Sequence, residues 1–281
     1  MVEDKAKHVN NGRPHPDARK PPVALNADSA VRFRNVSKSY GDKRAVIDLT
    51  LDLHPGEVFA FLGPNGAGKT TTLKITTGLL RADAGDVYVC GDDIVRDGRH
   101  AKQQIAYVPD QPFLYDKLTG REFIRFTREV YGVSGEEADR RLAALNARLD
   151  MESFLDQLAE SYSHGMKQKV ALAAAMIHAP RVLIVDEPTV GLDPRTIRVI
   201  KTIFREIAEA GGTVFMSTHT LDIAEAAADR IGIINAGQLI ALGTLDELRA
   251  LAAPGGRLED IFLRLTEEAV EGSGDDPRMT A

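Results

Sequence analysis

One nine-residue stretch restricts this chain more than any other. Residues 63–71 read GPNGAGKTT, which fits G-x-x-x-x-G-K-[S/T], and the EVFAFLG that leads into it is nearly all apolar. An apolar run of that kind is what a strand buried on both faces requires. Strand, glycine loop and helix in that order form a cradle for phosphate. Gly63, Gly66 and Gly68 let the backbone curl so that successive N–H groups point at phosphate oxygens, with Pro64, Asn65 and Ala67 completing the loop. A helix starting at Lys69 adds the positive end of its dipole. Lys69 supplies a point charge to the β and γ phosphates, and the Thr70 hydroxyl, followed by Thr71, is placed to ligate Mg²⁺.

The remaining patterns say what surrounds that loop. VRFRNV and VIDLTLDL alternate apolar and polar residues, as half-buried antiparallel strands do, whereas VLIVDE and TVFMST are buried strands joined by helix-length segments. The expected class is α/β: a P-loop nucleoside triphosphatase core with a mixed, partly parallel sheet and an antiparallel β-subdomain. From about residue 112 to 179 no strand pattern occurs. REFIRFTREVYG, EEADRRLAALNARL and HGMKQKVALAAAMIH all carry helical spacing and predict an inserted helical subdomain. IGIINAGQLIALG predicts two short strands, and a helix follows from Leu245. In LEDIFLRL, helical spacing puts Leu258, Ile261, Phe262 and Leu265 on one face. The expected division is a disordered extension over 1–28, an ATPase domain over 29–253, and a helix with a disordered tail over 254–281. No internal repeat is present at a fixed period, so the chain reads as one unit.

Composition removes several function classes. A net charge of −6 argues against a broad electrostatic grip on nucleic acid, and no nucleic-acid partner is expected. The single Cys90 permits no intramolecular disulfide and no thiolate metal cluster, and VYVCG places it on a strand as a small packing residue. The longest apolar run, residues 170–177, falls far short of the roughly 20 residues a spanning helix needs. The first 28 residues lack a signal-peptide core, so a soluble, cytoplasmic chain is expected. His8 and His15 have no neighbours at metal-ligand spacing.

A phosphate loop that carries Mg²⁺ needs a further carboxylate. Asp186 ends the buried VLIVD run and is the expected metal ligand; Glu187, next in sequence, is the expected base that orients and polarises an attacking water. His219, in MSTHT at the end of the next buried strand, is placed to reach the γ-phosphate from the side.

With these motifs in hand, the chain resembles the nucleotide-binding subunit of an ABC (ATP-binding cassette) transporter from about residue 31 to 265, of the exporter type. The resemblance implies ATP and Mg²⁺ as cofactors. It also implies that Tyr40, in KSYGDKRAV, stacks on adenine, and that GLD at 191–193, with Asp193, crosses a dimer interface. SHGMKQ resembles the family signature, more commonly Ser-Gly-Gly-Gln. In the family, that signature closes over ATP held by the other subunit. Ser163 would then cap a helix aimed at the foreign γ-phosphate, and Gly165 would leave room for its close approach. His164 departs from the commoner Gly, and its side chain is expected to point aside. Asp110, in YVPDQP, stands where the family usually has a Gln that contacts Mg²⁺, so Asp110 or its neighbour Gln111 would serve there. The implied partners are a separately encoded transmembrane permease and a second cassette, in a homodimer or heterodimer. The implied location is peripheral, on the inner face of the cell membrane. The rival reading is a soluble ABC ATPase with a regulatory or assembly role. Only about 90 residues separate Thr70 from Ser163, too few for the long insertions of repair members.

Overall fold

The computed structural model describes residues 29–250 and 258–271, with side chains to 264. The expected extension 1–28, the tail 272–281 and the Leu265 side chain lie outside the described residues.

The chain begins with β1 (Val31–Tyr40) and β2 (Lys43–Leu53), an antiparallel pair in register from Val31↔Leu53 to Tyr40↔Lys43. β3 (Val58–Leu62) is buried at every position and runs through the phosphate loop into α1 (Lys69–Thr76). β4 (Ala84–Val89) returns to pair antiparallel with β1, and the two-residue β5 (Asp92–Asp93) extends that sheet, giving the order β2-β1-β4-β5. After α2 (Gly98–Gln103), β6 (Ile105–Val108) enters a second sheet. Alternation in IAYV is too short to announce a strand, and pairing with a later strand is what orders it. Cys90 lies one residue past β4 in a turn with φ 48°, so it is not a strand residue; it is half-buried there.

Between β6 and the next strand all regular elements are helical. α3 (Gly120–Tyr131) starts on a reciprocal cap between Thr119 and Glu122, and α4 (Gly135–Leu149) starts on Ser134. α5 (His164–Met176) starts on Ser163. Each cap satisfies N–H groups that the first turn leaves without partners. β7 (Val182–Asp186), α6 (Pro194–Glu209), β8 (Thr213–Thr218), α7 (Leu221–Ala227), β9 (Arg230–Asn235), β10 (Gln238–Gly243), α8 (Leu245–Ala250) and α9 (Leu258–Glu271) follow.

The six-stranded sheet has the order β10-β9-β3-β8-β7-β6, parallel except for the antiparallel pair β9 and β10. One face packs under the antiparallel sheet, where Phe33 meets Phe215 edge-on at 6.2 Å and Phe59 and Phe61 close the cluster. The other face packs on the helices, with Leu155, Val170, Ile203 and Phe204 buried against Val58, Ala60 and Leu62. Leu258 and Ile261 of α9 are buried in the same cluster and Phe262 packs on it. Parallel pairing brings the ends of β3, β7 and β8 to one edge of the sheet, and that edge carries the site.

Candidate functional site

The loop between β3 and α1 is held from three sides by backbone. Gly63 donates to the Thr218 carbonyl at 3.3 Å, Ala67 donates to that of Pro64 at 3.2 Å, and Gly237, in the β9–β10 turn, donates to that of Ala67 at 2.9 Å. Gly68 shows why a glycine is required: its φ is 110°, and a Cβ there would stand 2.2 Å from the Ala45 carbonyl oxygen. The Lys69 ammonium donates to the carbonyls of Gly63 (2.7 Å) and Pro64 (3.2 Å). Burial lowers its pKa, opposed by the charges of Glu187 and Asp186.

In front of the loop lies a cleft of about 250 Å³. It is lined by Asn65, Gly66, Gly68, Lys69, Thr70 and Thr71 of the loop and α1, by Tyr40, Lys43 and Ala45 of β1 and β2, and by Asp110 and Glu187. Tyr40 ends β1, is 51% exposed, and has the Lys38 ammonium 5.8 Å from its ring centre. It belongs to an interior strand of the antiparallel sheet, at the end that overhangs the cleft. Lys43 and Ala45 were not singled out in the sequence. Their nearness to the loop depends on how β2 meets the larger sheet, which no local pattern encodes.

Asp186 closes β7 and is 1% exposed, with the Ser217 hydroxyl donating to one carboxylate oxygen. Glu187 follows with φ 51°. Its carboxylate, 12% exposed, accepts from the Thr218 hydroxyl at 3.3 Å, meets His219 Nδ1 at 2.8 Å and lies 3.8 Å from the Lys69 ammonium. The His219 ring is 48% exposed and turns its other nitrogen away from Glu187. Lys69, Thr70, Asp110, Asp186, Glu187 and His219 thus stand at the ends of neighbouring elements. Among the described residues no group of three or more His, Cys, Asp or Glu could hold a metal by themselves. That donor set, a buried carboxylate and a hydroxyl facing an open cleft, fits a hard cation such as Mg²⁺ that takes its remaining oxygens from phosphate and water.

Asp186 and His219 do not line the cleft, but they adjoin Glu187, which does: Asp186 by sequence, and His219 by the 2.8 Å contact of its Nδ1. Ser163, Gly165 and Asp193 are absent from the cleft and have no such tie among the described residues. Ser163 Oγ accepts from the Met166 N–H at 3.3 Å and caps α5. Asp193 caps α6, accepting from the Thr196 N–H at 2.9 Å and from its hydroxyl at 2.6 Å; these bonds hold its carboxyl down at about 2. A Cβ on Gly165 would come within 2.9 Å of the Gly191 carbonyl oxygen, so within one chain the small residue makes room for the 191–193 loop. The His164 ring lies against the 191–193 loop: its Cδ2 would meet a Cβ on Gly191 at 2.7 Å.

A phosphate loop on a parallel sheet, with acidic residues at the end of β7, one strand removed from β3, defines a P-loop nucleoside triphosphatase. The family described as ABC transporter matches residues 46–190. The linearmycin resistance ATP-binding protein LnrL of Bacillus subtilis (strain 168) is 39% identical over 218 residues, 78% of this chain and 70% of that protein. Among solved structures, an ATP-binding subunit of an ABC transporter superimposes with a TM-score of 0.81 at 33% identity, covering 85% of this chain and 100% of that one. A dimeric, post-hydrolysis ATP-binding cassette bound to ADP and Pi superimposes with a TM-score of 0.68 at 26% identity, covering 76% and 98%. The chain belongs to the ABC transporter family, as an ATP-binding and ATP-hydrolysing subunit. These matches favour a transporter subunit over the soluble alternative. Subunits of this family dimerise and work with membrane components, and no helix among the described residues is long and apolar enough to cross a membrane.

Proposed function

We propose that this chain is the motor subunit of an exporter, closing as a dimer around two ATP molecules and passing the closure to a separately encoded permease at the inner face of the membrane. The observation that carries the dimer is the separation within one chain. The cleft holds the phosphate loop, while Ser163, Gly165 and Asp193 lie outside it on capped helix starts. A second protomer would bring its Ser163 and the free N–H groups of α5 to the terminal phosphate.

On nucleotide binding, the Lys69 ammonium exchanges its carbonyl partners for phosphate oxygens. Tyr40 stacks on the base, and Thr70, Asp186 and Asp110 would hold Mg²⁺, which when bound would supply charge neutralisation for the phosphates. Glu187 accepts the proton of the attacking water, and His219, fixed by its Nδ1 contact to Glu187, presents its far nitrogen to the terminal phosphate. The export direction is supported by the resistance function in LnrL's name. A docking place for the permease is supported by exposed aromatic residues just past Asp110: Phe113, 76% exposed, meets Tyr115 at 5.8 Å, and Tyr115 meets Phe126 of α3 at 5.9 Å. Apolar rings gathered on a surface mark interaction sites. In this reading the 29–253 segment is the ATPase unit and its helical insertion carries the permease contact.

Mixing two inactive variants tests the shared site. Lys69→Ala and Gly165→Asp subunits, each silent alone, should together recover part of the parent ATPase rate, because one pairing unites an intact loop with an intact signature. A mixture as silent as its components would sink the shared-site reading.

A further inference from the structure

Tyr107 lies in β6 beside Ile184 of β7, its partner in the parallel register. Both side chains pack into the cluster that contains Leu73 and Ile75 of α1, so Tyr107 and the phosphate-loop helix share one face of the sheet. Asp186 is two residues beyond Ile184 on β7 and, by strand alternation, lies on that same face. Two residues of strand advance about 7 Å, within reach of a tyrosine leaning along its strand. Asp110, three residues after Tyr107, lines the nucleotide cleft.

The Tyr107 hydroxyl is buried and has no hydrogen-bond partner among the described residues. The Tyr162 hydroxyl shows the usual arrangement, donating to the Phe154 carbonyl at 2.8 Å and accepting from the Gly120 N–H at 3.0 Å. A buried donor left unpaired is costly and calls for a partner that arrives later. Burial raises the phenol pKa, and the Asp186 and Asp110 carboxylates raise it further, so the hydroxyl keeps its proton and feels two anions nearby. One of these is already engaged: Asp186 accepts from Ser217 and is the expected metal ligand. Asp110 borders open space and, being an acceptor only, matches a neutral donor.

We propose that Tyr107 is a positioning residue: its hydroxyl donates to Asp110 in the nucleotide-loaded site and holds that carboxylate toward the metal position shared with Asp186 and Thr70. The proposal rests on the site assignment above and adds a residue to it.

The test uses the full chain in a Glu187→Gln background, where closure is read without turnover. Mg²⁺ is titrated at fixed ATP, and dimer formation is followed by light scattering. Adding Tyr107→Phe should raise the Mg²⁺ needed for half-maximal closure roughly tenfold, the effect of one charge-assisted hydrogen bond. Binding of ATP in EDTA should be unchanged. Asp110→Asn should shift the titration similarly, and the double variant no further. The chain has six Tyr and no Trp, so ultraviolet difference absorption on adding Mg-ATP, with the nucleotide's own absorption subtracted, reports tyrosines without tryptophan overlap. A phenol component of that signal should vanish with Tyr107→Phe. An unchanged Mg²⁺ requirement, additive shifts with Asp110→Asn, a difference signal identical to that of the parent with Tyr107, or equal weakening of ATP binding in EDTA would each overturn the proposal. Failure of the Glu187→Gln parent to close at all would instead indict the site assignment beneath it.

Discussion

Replacing Glu187 by Gln separates binding from chemistry in this site. The side chain is 12% exposed and engaged by the Thr218 hydroxyl at 3.3 Å and His219 Nδ1 at 2.8 Å. Gln has the same length and keeps an acceptor oxygen, so the local shape survives. What disappears is the proposed proton acceptor and one negative charge. Losing a general base slows turnover by about 10²–10⁴, or about 3–5 kcal/mol of barrier. The charge acts in two ways that add. Glu187 attracts Lys69 across 3.8 Å, an interaction of about 4 kcal/mol at an effective dielectric of ~20. It would also repel a terminal phosphate bound beside Lys69. Removing it both frees Lys69 for phosphate and relieves the repulsion, so ATP affinity should hold or improve while hydrolysis collapses. The variant should release phosphate at under about a hundredth of the parent rate and elute as a dimer with Mg-ATP and as a monomer without it. Phosphate release at the parent rate would refute the assignment of Glu187 as the base.

Asp186→Asn should lose both closure and turnover, since its buried carboxylate is the proposed metal anchor; a dimer that still formed with Mg-ATP would contradict this. Gly191→Ala drives a Cβ to 2.7 Å from the His164 ring at a position with φ 74°. The ATPase rate should drop, and His164→Gly, mild alone, should restore part of it in the double variant; no recovery would mean the ring does not bear on the loop. Asp193 contributes through pH. Its folded carboxyl is held at about 2, below the unfolded value of about 3.9. The stabilisation is therefore complete above pH ~4 and lost as pH falls toward ~2. Urea melts should show Asp193→Asn less stable than the parent near neutral pH, with the gap closing in that acid window. A gap that stayed constant across it would refute the assignment.

How much of this was legible depends on how local each cause is. The phosphate loop is local: GPNGAGKTT carries its own conformation, and the apolar EVFAFLG before it became β3, with every strand residue buried. Ser163 as a cap was equally readable, because capping needs only the next three residues. β6 was not readable, because four residues of IAYV become a strand only by pairing with β7. Nor were Lys43 and Ala45, which reach the cleft by the angle at which the antiparallel sheet meets the parallel one. Gly165 was read as space for phosphate, and the structure adds a nearer neighbour, the Gly191 carbonyl. Tyr107 carried no signal in the sequence, and only the fold shows that its buried hydroxyl has no partner among the described residues.

The contact between residues 164–165 and Gly191 has a consequence for how two such chains work together. Gly191 is four residues from Glu187, and α5 begins at His164. The carboxylate that faces a protomer's own nucleotide is therefore wired, through one short loop, to the surface that protomer offers its neighbour. In the proposed dimer neither active centre can rearrange in private. A change at one is felt at the other, so the second ATP meets a protein already biased by the first. Two sites on such a pair behave as one cooperative machine, and a ligand isotherm for them departs from that of two independent sites.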